Sequence, residues 1–187
     1  MKEINIRLPD NTTKSFSSGI TPQDVADSIG SGLARAVVVA KVNGLLRDLN
    51  YNINEDSSLE LFTGDSPEGH DTLLHSTAHL MAQAVKELFP EVKITIGPTI
   101  ENGFYYDFDL DKSFSDEILE KIENKMKELA KLKQEIVRHE VSAGEAVDIF
   151  SKLNEPYKVE IIEQINPGDK STMYKQSSFT DLCRGPH

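Results

Sequence analysis

Two imidazoles stand four residues apart in Leu74-His75-Ser76-Thr77-Ala78-His79-Leu80. The only cysteine stands four residues before a final histidine in Asp181-Leu182-Cys183-Arg184-Gly185-Pro186-His187. In an apolar run that reads as a helix, a four-residue spacing is about one turn, so His75 and His79 share a face. The second pair cannot sit on a regular helix or strand, because Gly185-Pro186 turns the chain. A fold that uses both pairs has to carry the C-terminal turn back onto the mid-chain helix. Nitrogen and sulfur donors in this mix suit a tetrahedral zinc site, or a pocket in which imidazoles orient a water. A structural reading stands beside these, since a His pair on an apolar helix and a lone Cys are both common core features.

Charge and length narrow the classes. With 187 residues and 38% hydrophobic content, the chain can bury one sizeable core or two small ones. No apolar run approaches the ~20 residues of a membrane span, and Met1-Lys2-Glu3-Ile4-Asn5 has no signal-peptide core, so a soluble cytoplasmic protein without a membrane partner is expected. One cysteine makes no internal disulfide, which fits a reducing compartment and leaves Cys183 as a thiol or ligand. A net charge of −11 argues against a free-standing nucleic-acid binder. Lys121, Lys125, Lys127, Lys131, Lys133 and Arg138 interleave with glutamates and read as a solvated helix face.

Taken in order, Ile4 to Leu8 alternates as a half-buried strand, Pro9-Asp10-Asn11 has turn chemistry, and Thr12 to Phe16 returns as its partner. Thr21 is a good N-cap with Pro22 at the first helical position, and Gly30 or Gly32 ends that helix. Ala36 to Val42 reads as a buried strand, Asn43-Gly44 as a tight hairpin, Leu45 to Asp48 as its return and Leu59 to Phe62 as the closing strand. This pattern predicts a small ubiquitin-like β-grasp domain over residues 1–62, a linker over 63–70, and an α+β domain over 71–187 with helices packed on a mainly antiparallel sheet. In the second domain the His75/His79 helix runs to Pro90, and Lys93 to Ile96 and Phe104 to Asp109 read as strands around turns at Gly97-Pro98 and Asn102-Gly103. Ser115 starts a long helix, and Ser142 with Glu145 is a capping box. Tyr157 to Ile162 reads as a strand bearing Lys158, Asn166-Pro167-Gly168-Asp169 as a loop, and Met173 to Lys175 as a last strand. Tyr106 is the aromatic singled out for a polar role.

These stretches resemble, in order, motifs of the N-terminal region of bacterial threonyl-tRNA synthetases. The matching segments are His75-Ser76-Thr77-Ala78-His79, Ile96-Gly97-Pro98, Asn102-Gly103-Phe104-Tyr105-Tyr106-Asp107, Tyr157-Lys158-Val159 and Asp181 to His187. The resemblance spans the whole length: residues 1–62 are similar to the TGS module and 71–187 to the editing domain, itself related to that of alanyl-tRNA synthetases. It implies hydrolysis of the ester in mischarged seryl-tRNA(Thr). A threonine pocket cannot strongly reject serine, since one methyl is worth only about 1–3 kcal/mol, so a second hydrolytic site supplies the missing accuracy. Carried over by the resemblance, His75 and Lys158 would position and activate the attacking water and Tyr106 would hold a second water. Asp181 would bind the serine amino group or hydroxyl. His79, Cys183 and His187 would complete the pocket, with Gly97 and Pro98 near the terminal adenosine.

The same resemblance implies no cofactor for editing, although His75, His79, Cys183 and His187 together would close a zinc shell, and alanyl-type relatives use zinc. ATP and a further zinc are implied only for a downstream catalytic domain beyond this sequence, so aminoacylation is not expected of it. The implied partners are the 3′ end of tRNA(Thr) with its seryl ester and the remaining domains of a homodimeric synthetase. A chain stopping on the site candidate His187 is expected to be a fragment lacking the end of the editing domain. Two other classes stay open: a zinc hydrolase or structural zinc domain, and a non-enzymatic module for interaction or amino-acid sensing.

Overall fold

Strand β1 (Glu3–Arg7) buries alternate residues, Ile4 and Ile6, and turns through Asp10, whose Oδ1 accepts from the Thr12 amide and hydroxyl, into antiparallel β2 (Thr13–Ser17). The computed structural model describes residues 2–101, 103–110, 113–164 and 169–187. It divides into two compact units, Met1–Leu73 with Gly185–His187, and Leu74–Arg184.

In the first unit, α1 (Pro22–Ile29) starts as the sequence predicts: Thr21 accepts from the Asp24 amide while the Asp24 carboxylate accepts from the Thr21 amide. A short α2 (Ser31–Ala36) follows where no second helix was expected. Its Ala34 carbonyl is held by Gln23 Nε2 at 3.0 Å, and this moves the start of β3 (Val37–Val42) one residue on. Asn43 and Gly44, both at positive φ (50° and 81°), make the hairpin to β4 (Leu45–Arg47). With β5 (Ser57–Thr63) the sheet order is β2-β1-β5-β3-β4, β1 and β5 parallel and the other pairs antiparallel. Val25 of α1 packs on this sheet in a core of Ile4, Ile6, Ala40, Val42, Ile53 and Leu59. This is the expected ubiquitin-like β-grasp.

Helix α3 (Pro67–Leu88) begins at a proline, four residues earlier than the sequence reading placed it, and the division between units falls within it. Gly69 permits that start: a Cβ there would lie 2.0 Å from the Thr63 carbonyl oxygen. In the second unit the α3 residues Ala84 and Val85 pack with Val92 and with Ile122 and Leu129 of α4 (Asp116–Lys131). Ser115 occupies the N-cap of α4 without a side-chain bond to it. Two small antiparallel pairs, β6 (Lys93–Ile94) with β9 (Phe108–Asp109) and β7 (Thr99–Ile100) with β8 (Gly103–Phe104), replace the single strand expected over Phe104 to Asp109. Tyr105-Tyr106-Asp107 lies between them.

A three-stranded antiparallel sheet, β10 (Ile136–Ser142), β11 (Lys170–Gln176) and β12 (Phe179–Leu182), completes the unit. Only its middle strand was expected, and that in part. Ser142 and Glu145 form the predicted capping box on α5 (Ala143–Lys152). The main correction concerns Tyr157 to Ile162, which is helix α6 (Pro156–Glu163) rather than a strand. Pro156 supplies a first-turn residue, and helical spacing puts Lys158 and Ile162 on one buried face, so tertiary packing outweighs the β preference of Tyr, Val and Ile. Asn102 and the Asn166-Pro167-Gly168 part of the expected loop lie outside the described residues.

Candidate active site

Helix α3 presents His75 and His79 one turn apart, their rings edge-on with centroids 4.9 Å apart. Ala78 and Ala82, both fully buried on this helix, leave room for Tyr106 and Phe179. β12 delivers the other half by strand alternation: Phe179 and Asp181 face the buried side. Just beyond it, Cys183 is held by its neighbour strand, its amide donating to the Thr172 carbonyl at 3.1 Å and its carbonyl accepting from Thr172 Oγ1 at 2.5 Å. Cys183 Sγ then stands 2.9 Å from His75 Nε2.

A buried polar network lies beside this pair. Asp181, 1% exposed, has Oδ1 2.6 Å from Lys158 Nζ and Oδ2 accepting from the Tyr106 hydroxyl at 2.5 Å, with His79 Nδ1 3.5 Å from Oδ2. Lys158, 2% exposed, also donates to the Tyr106 oxygen at 3.1 Å. A charge this deep is tolerated only with a partner and satisfied hydrogen bonds, and here each member supplies the others. Tyr106 is itself placed by Gly97. A Cβ at that position would sit 2.1 Å from the Tyr106 ring, so only a glycine lets the backbone lie against it. The ring stacks on Phe108 from its own segment, and the Pro98 carbonyl accepts from the Tyr105 amide at 3.4 Å.

Burial and charge set the proton states. Burial, helped by His75 and Lys158 and opposed by Asp181, pulls His79 down to about 4, so its imidazole is neutral at pH 7. Burial pushes Tyr106 well above its usual range, and the Asp181 charge adds to it. Burial alone would raise Asp181; the charges of Lys158 and His79 and the bonds from Lys158 and Tyr106 outweigh it and hold the carboxyl below its ordinary value. The network therefore carries an anionic carboxylate, a neutral phenol and a neutral imidazole at neutral pH.

The structure thus brings together His75, His79, Tyr106, Lys158, Asp181 and Cys183, with Gly97 and Pro98 behind Tyr106. The ligand atoms of His75, His79 and Cys183 lie within 4.8 Å of one another, a group that could hold a metal ion. His187 belongs to the first unit, where its amide donates to Asp48 Oδ1 at 2.8 Å. Sequence reasoning passed over Thr172, which fixes Cys183. It also passed over Glu155, which caps α6 beneath Lys158. Neither sits in a local motif that would have marked it.

Comparison with known proteins points the same way. Residues 4–63 match the TGS domain family. The whole chain is 50% identical over 187 residues to a threonine–tRNA ligase of Geobacter sp. (strain M21), and 51% identical over 187 residues to that of Pelobacter propionicus. It is 47% identical over 184 residues to that of Acetivibrio thermocellus. In each case 98–100% of this chain aligns, and it aligns to the N-terminal part of the relative, spanning 29% of that protein's length. No helix among the described residues is long and apolar enough to cross a membrane.

Proposed function

We propose that the second unit hydrolyses the ester of mischarged seryl-tRNA(Thr), as the editing part of a threonyl-tRNA synthetase. The observation that carries this reading is the buried Lys158–Asp181–Tyr106 network set against His75 in a chain so similar to the N-terminal part of threonine–tRNA ligases. Water adds to the serine carbonyl carbon, the bond from that carbon to the ribose oxygen breaks, and serine and a free 3′ hydroxyl result. His75, half-buried and at the edge of the network, takes the proton from the water and returns it to the ribose oxygen. Lys158, whose contacts with Asp181 and Tyr106 leave it a third N–H, offers a positive dipole fixed in advance where negative charge develops, and Tyr106, its one proton given to Asp181, holds that ammonium in place. On Asp181 we place an orienting role. Both its oxygens are engaged and it is 1% exposed, so it aims Lys158 and Tyr106, where the resemblance alone would have it hold serine.

The test is release of serine from seryl-tRNA(Thr), with threonyl-tRNA(Thr) alongside. His75→Ala and Lys158→Ala should each slow it by at least about a hundredfold, whereas Lys121→Ala, on the distant α4, should not. Full activity in Lys158→Ala, or equal cleavage of both esters, refutes the assignment.

The grouping of His75, His79 and Cys183 supports a second reading, a zinc hydrolase or structural zinc domain, because imidazoles and a thiolate suit zinc. Asp181 beside His79 would be the carboxylate that steadies a ligating ring. We take the reaction to need no metal, since Lys158 already supplies a positive group and His75 a base. Activity lost on chelation and regained with zinc decides for the second reading.

A further inference from the structure

We infer that Glu155 and Lys86 are positioning residues for the Lys158 ammonium, their partly buried ion pair setting helix α6 against α3 at the distance the network requires. The consequence for rate rests on the ester-hydrolysis reading; the consequence for geometry does not.

Glu155 is 2% exposed and ties three elements together. Its Oε1 lies 2.6 Å from Lys86 Nζ on α3, and its Oε2 accepts the Ile94 amide of β6 at 3.0 Å. At the N-cap of α6, its carbonyl accepts the amides of Lys158 at 3.2 Å and Val159 at 3.3 Å, and its own amide donates to the Phe150 carbonyl at 2.9 Å. Lys86 is as fully committed: besides Glu155 it donates to the carbonyls of Val92 at 2.8 Å and Pro90 at 3.1 Å. An ammonium that donates to two carbonyls and is paired with a carboxylate has little freedom.

Helical arithmetic gives this pair its meaning. Lys86 follows His79 by seven residues, close to two turns, so the stripe of α3 that carries the imidazoles also carries the tether. Lys158 follows Glu155 by three residues, close to one turn of α6. The pair therefore joins the helix of the imidazoles to the helix of the ammonium, two turns from His79 on the first and one turn from Lys158 on the second. Stability alone is a weak reason for a buried ion pair, because well-packed apolar residues commonly do as well. What an ion pair adds is a fixed register, and Lys158, held at 2.6 Å from Asp181 and 3.1 Å from Tyr106, needs one.

The test uses the 187-residue chain. Glu155→Gln keeps the shape and an acceptor for Ile94 but removes the charge. Lys86→Met removes the partner on a residue exposed enough to tolerate it, and serves should the first variant not fold. Lys86→Arg retains the pair. The first readout is the nitrogen-15 NMR signal of the Lys158 ammonium, identified by its loss in Lys158→Ala; the second is single-turnover serine release over a range of seryl-tRNA concentrations. In Glu155→Gln and Lys86→Met the signal should shift or broaden away. The rate constant should fall about tenfold or more, with half-saturation changed by less than about twofold, as expected when positioning and not binding is lost. Lys86→Arg should keep both close to wild type. An unchanged Lys158 signal in folded Glu155→Gln or Lys86→Met overturns the inference, as does a loss confined to half-saturation or to melting temperature. If the wild type releases no serine while the signal responds as described, the hydrolysis reading falls and the positioning role stands.

Discussion

His79 is a histidine only in its neutral form. Its pKa falls from 6.5 in the unfolded chain to about 4 in the folded one, so above pH 6.5 neither state binds the proton, and below it the unfolded state takes one that the folded state refuses. Its contribution is therefore complete above pH 6.5 and is lost as pH falls towards 4, on the order of 3 kcal/mol at the bottom of that window. His79→Gln should flatten the melting temperature of the second unit between those pH values; an unchanged slope would show that other groups carry it. Asp181, also held low, loses its contribution further down the same acid direction. Asp181→Asn should destabilise by about 3–5 kcal/mol at neutral pH, because it strands Lys158 as a buried cation. Gly97→Ala tests packing instead of charge. With a Cβ 2.1 Å from the ring, Tyr106 has to move, and about 1–3 kcal/mol should be lost together with most serine release. A variant with normal activity and an unmoved tyrosine would show that the Ile96-Gly97-Pro98 segment yields more easily than its contacts imply.

At the scale of elements, what was legible in the sequence is what local chemistry decides. Thr21 is an N-cap and Ser142 with Glu145 a capping box in both readings, because a cap is settled within four residues. Asn43-Gly44 is a hairpin for the same reason. The caps also make a paired prediction. Ser142→Ala should cost about 1 kcal/mol in chemical denaturation, and Ser115→Ala, whose side chain makes no cap bond, well under half of that. Equal losses would mean that Ser115 does cap its helix. Helix α6 was not legible, since Tyr157, Val159, Ile161 and Ile162 favour a strand by themselves. What makes them helical is a buried seat for Lys158 and Ile162, supplied by Asp181 and the Phe150 core from elsewhere in the chain. β10 and β12 were missed because a strand in the sequence Arg138-His139-Glu140 shows no alternation until its partner is known. For the site, the motifs named His75, Tyr106, Lys158 and Asp181, but no spacing could show that Asp181 lies deepest and is engaged on both oxygens.

The two units carry separate cores, Ile4, Ile6, Val25, Ala40, Val42, Ile53 and Leu59 in the first, and in the second the clusters around Tyr106, Val85 and Phe150. Two cores imply two cooperative units, so unfolding of the whole chain should depart from a single transition. Leu59→Ala is the discriminating change: fully buried in the first core, it should cost that unit about 2–5 kcal/mol. Helix α3 makes the outcome more than a formality, since its residues up to Leu73 group with the first unit and His75 stands only two positions beyond. A loosened first unit loses what holds that opening turn: the Lys41–Glu68 pair at 3.3 Å and the close seat of Gly69 on Thr63. Farther on, Ala78 and Ala82 are anchored in the second unit by Tyr106 and Phe179. Hydrogen exchange on Leu59→Ala should therefore show faster exchange through the first unit and the start of α3, fading between Leu73 and Ala78, with unchanged protection at Ala82 and Val85. His75 lies inside that fading zone while Lys158 and Asp181 do not, so serine release should weaken modestly even though the Lys158 network is intact. Exchange that accelerates equally in both units, or a single transition shifted as a whole, would make the chain one cooperative body and the division at Leu73 a matter of shape alone.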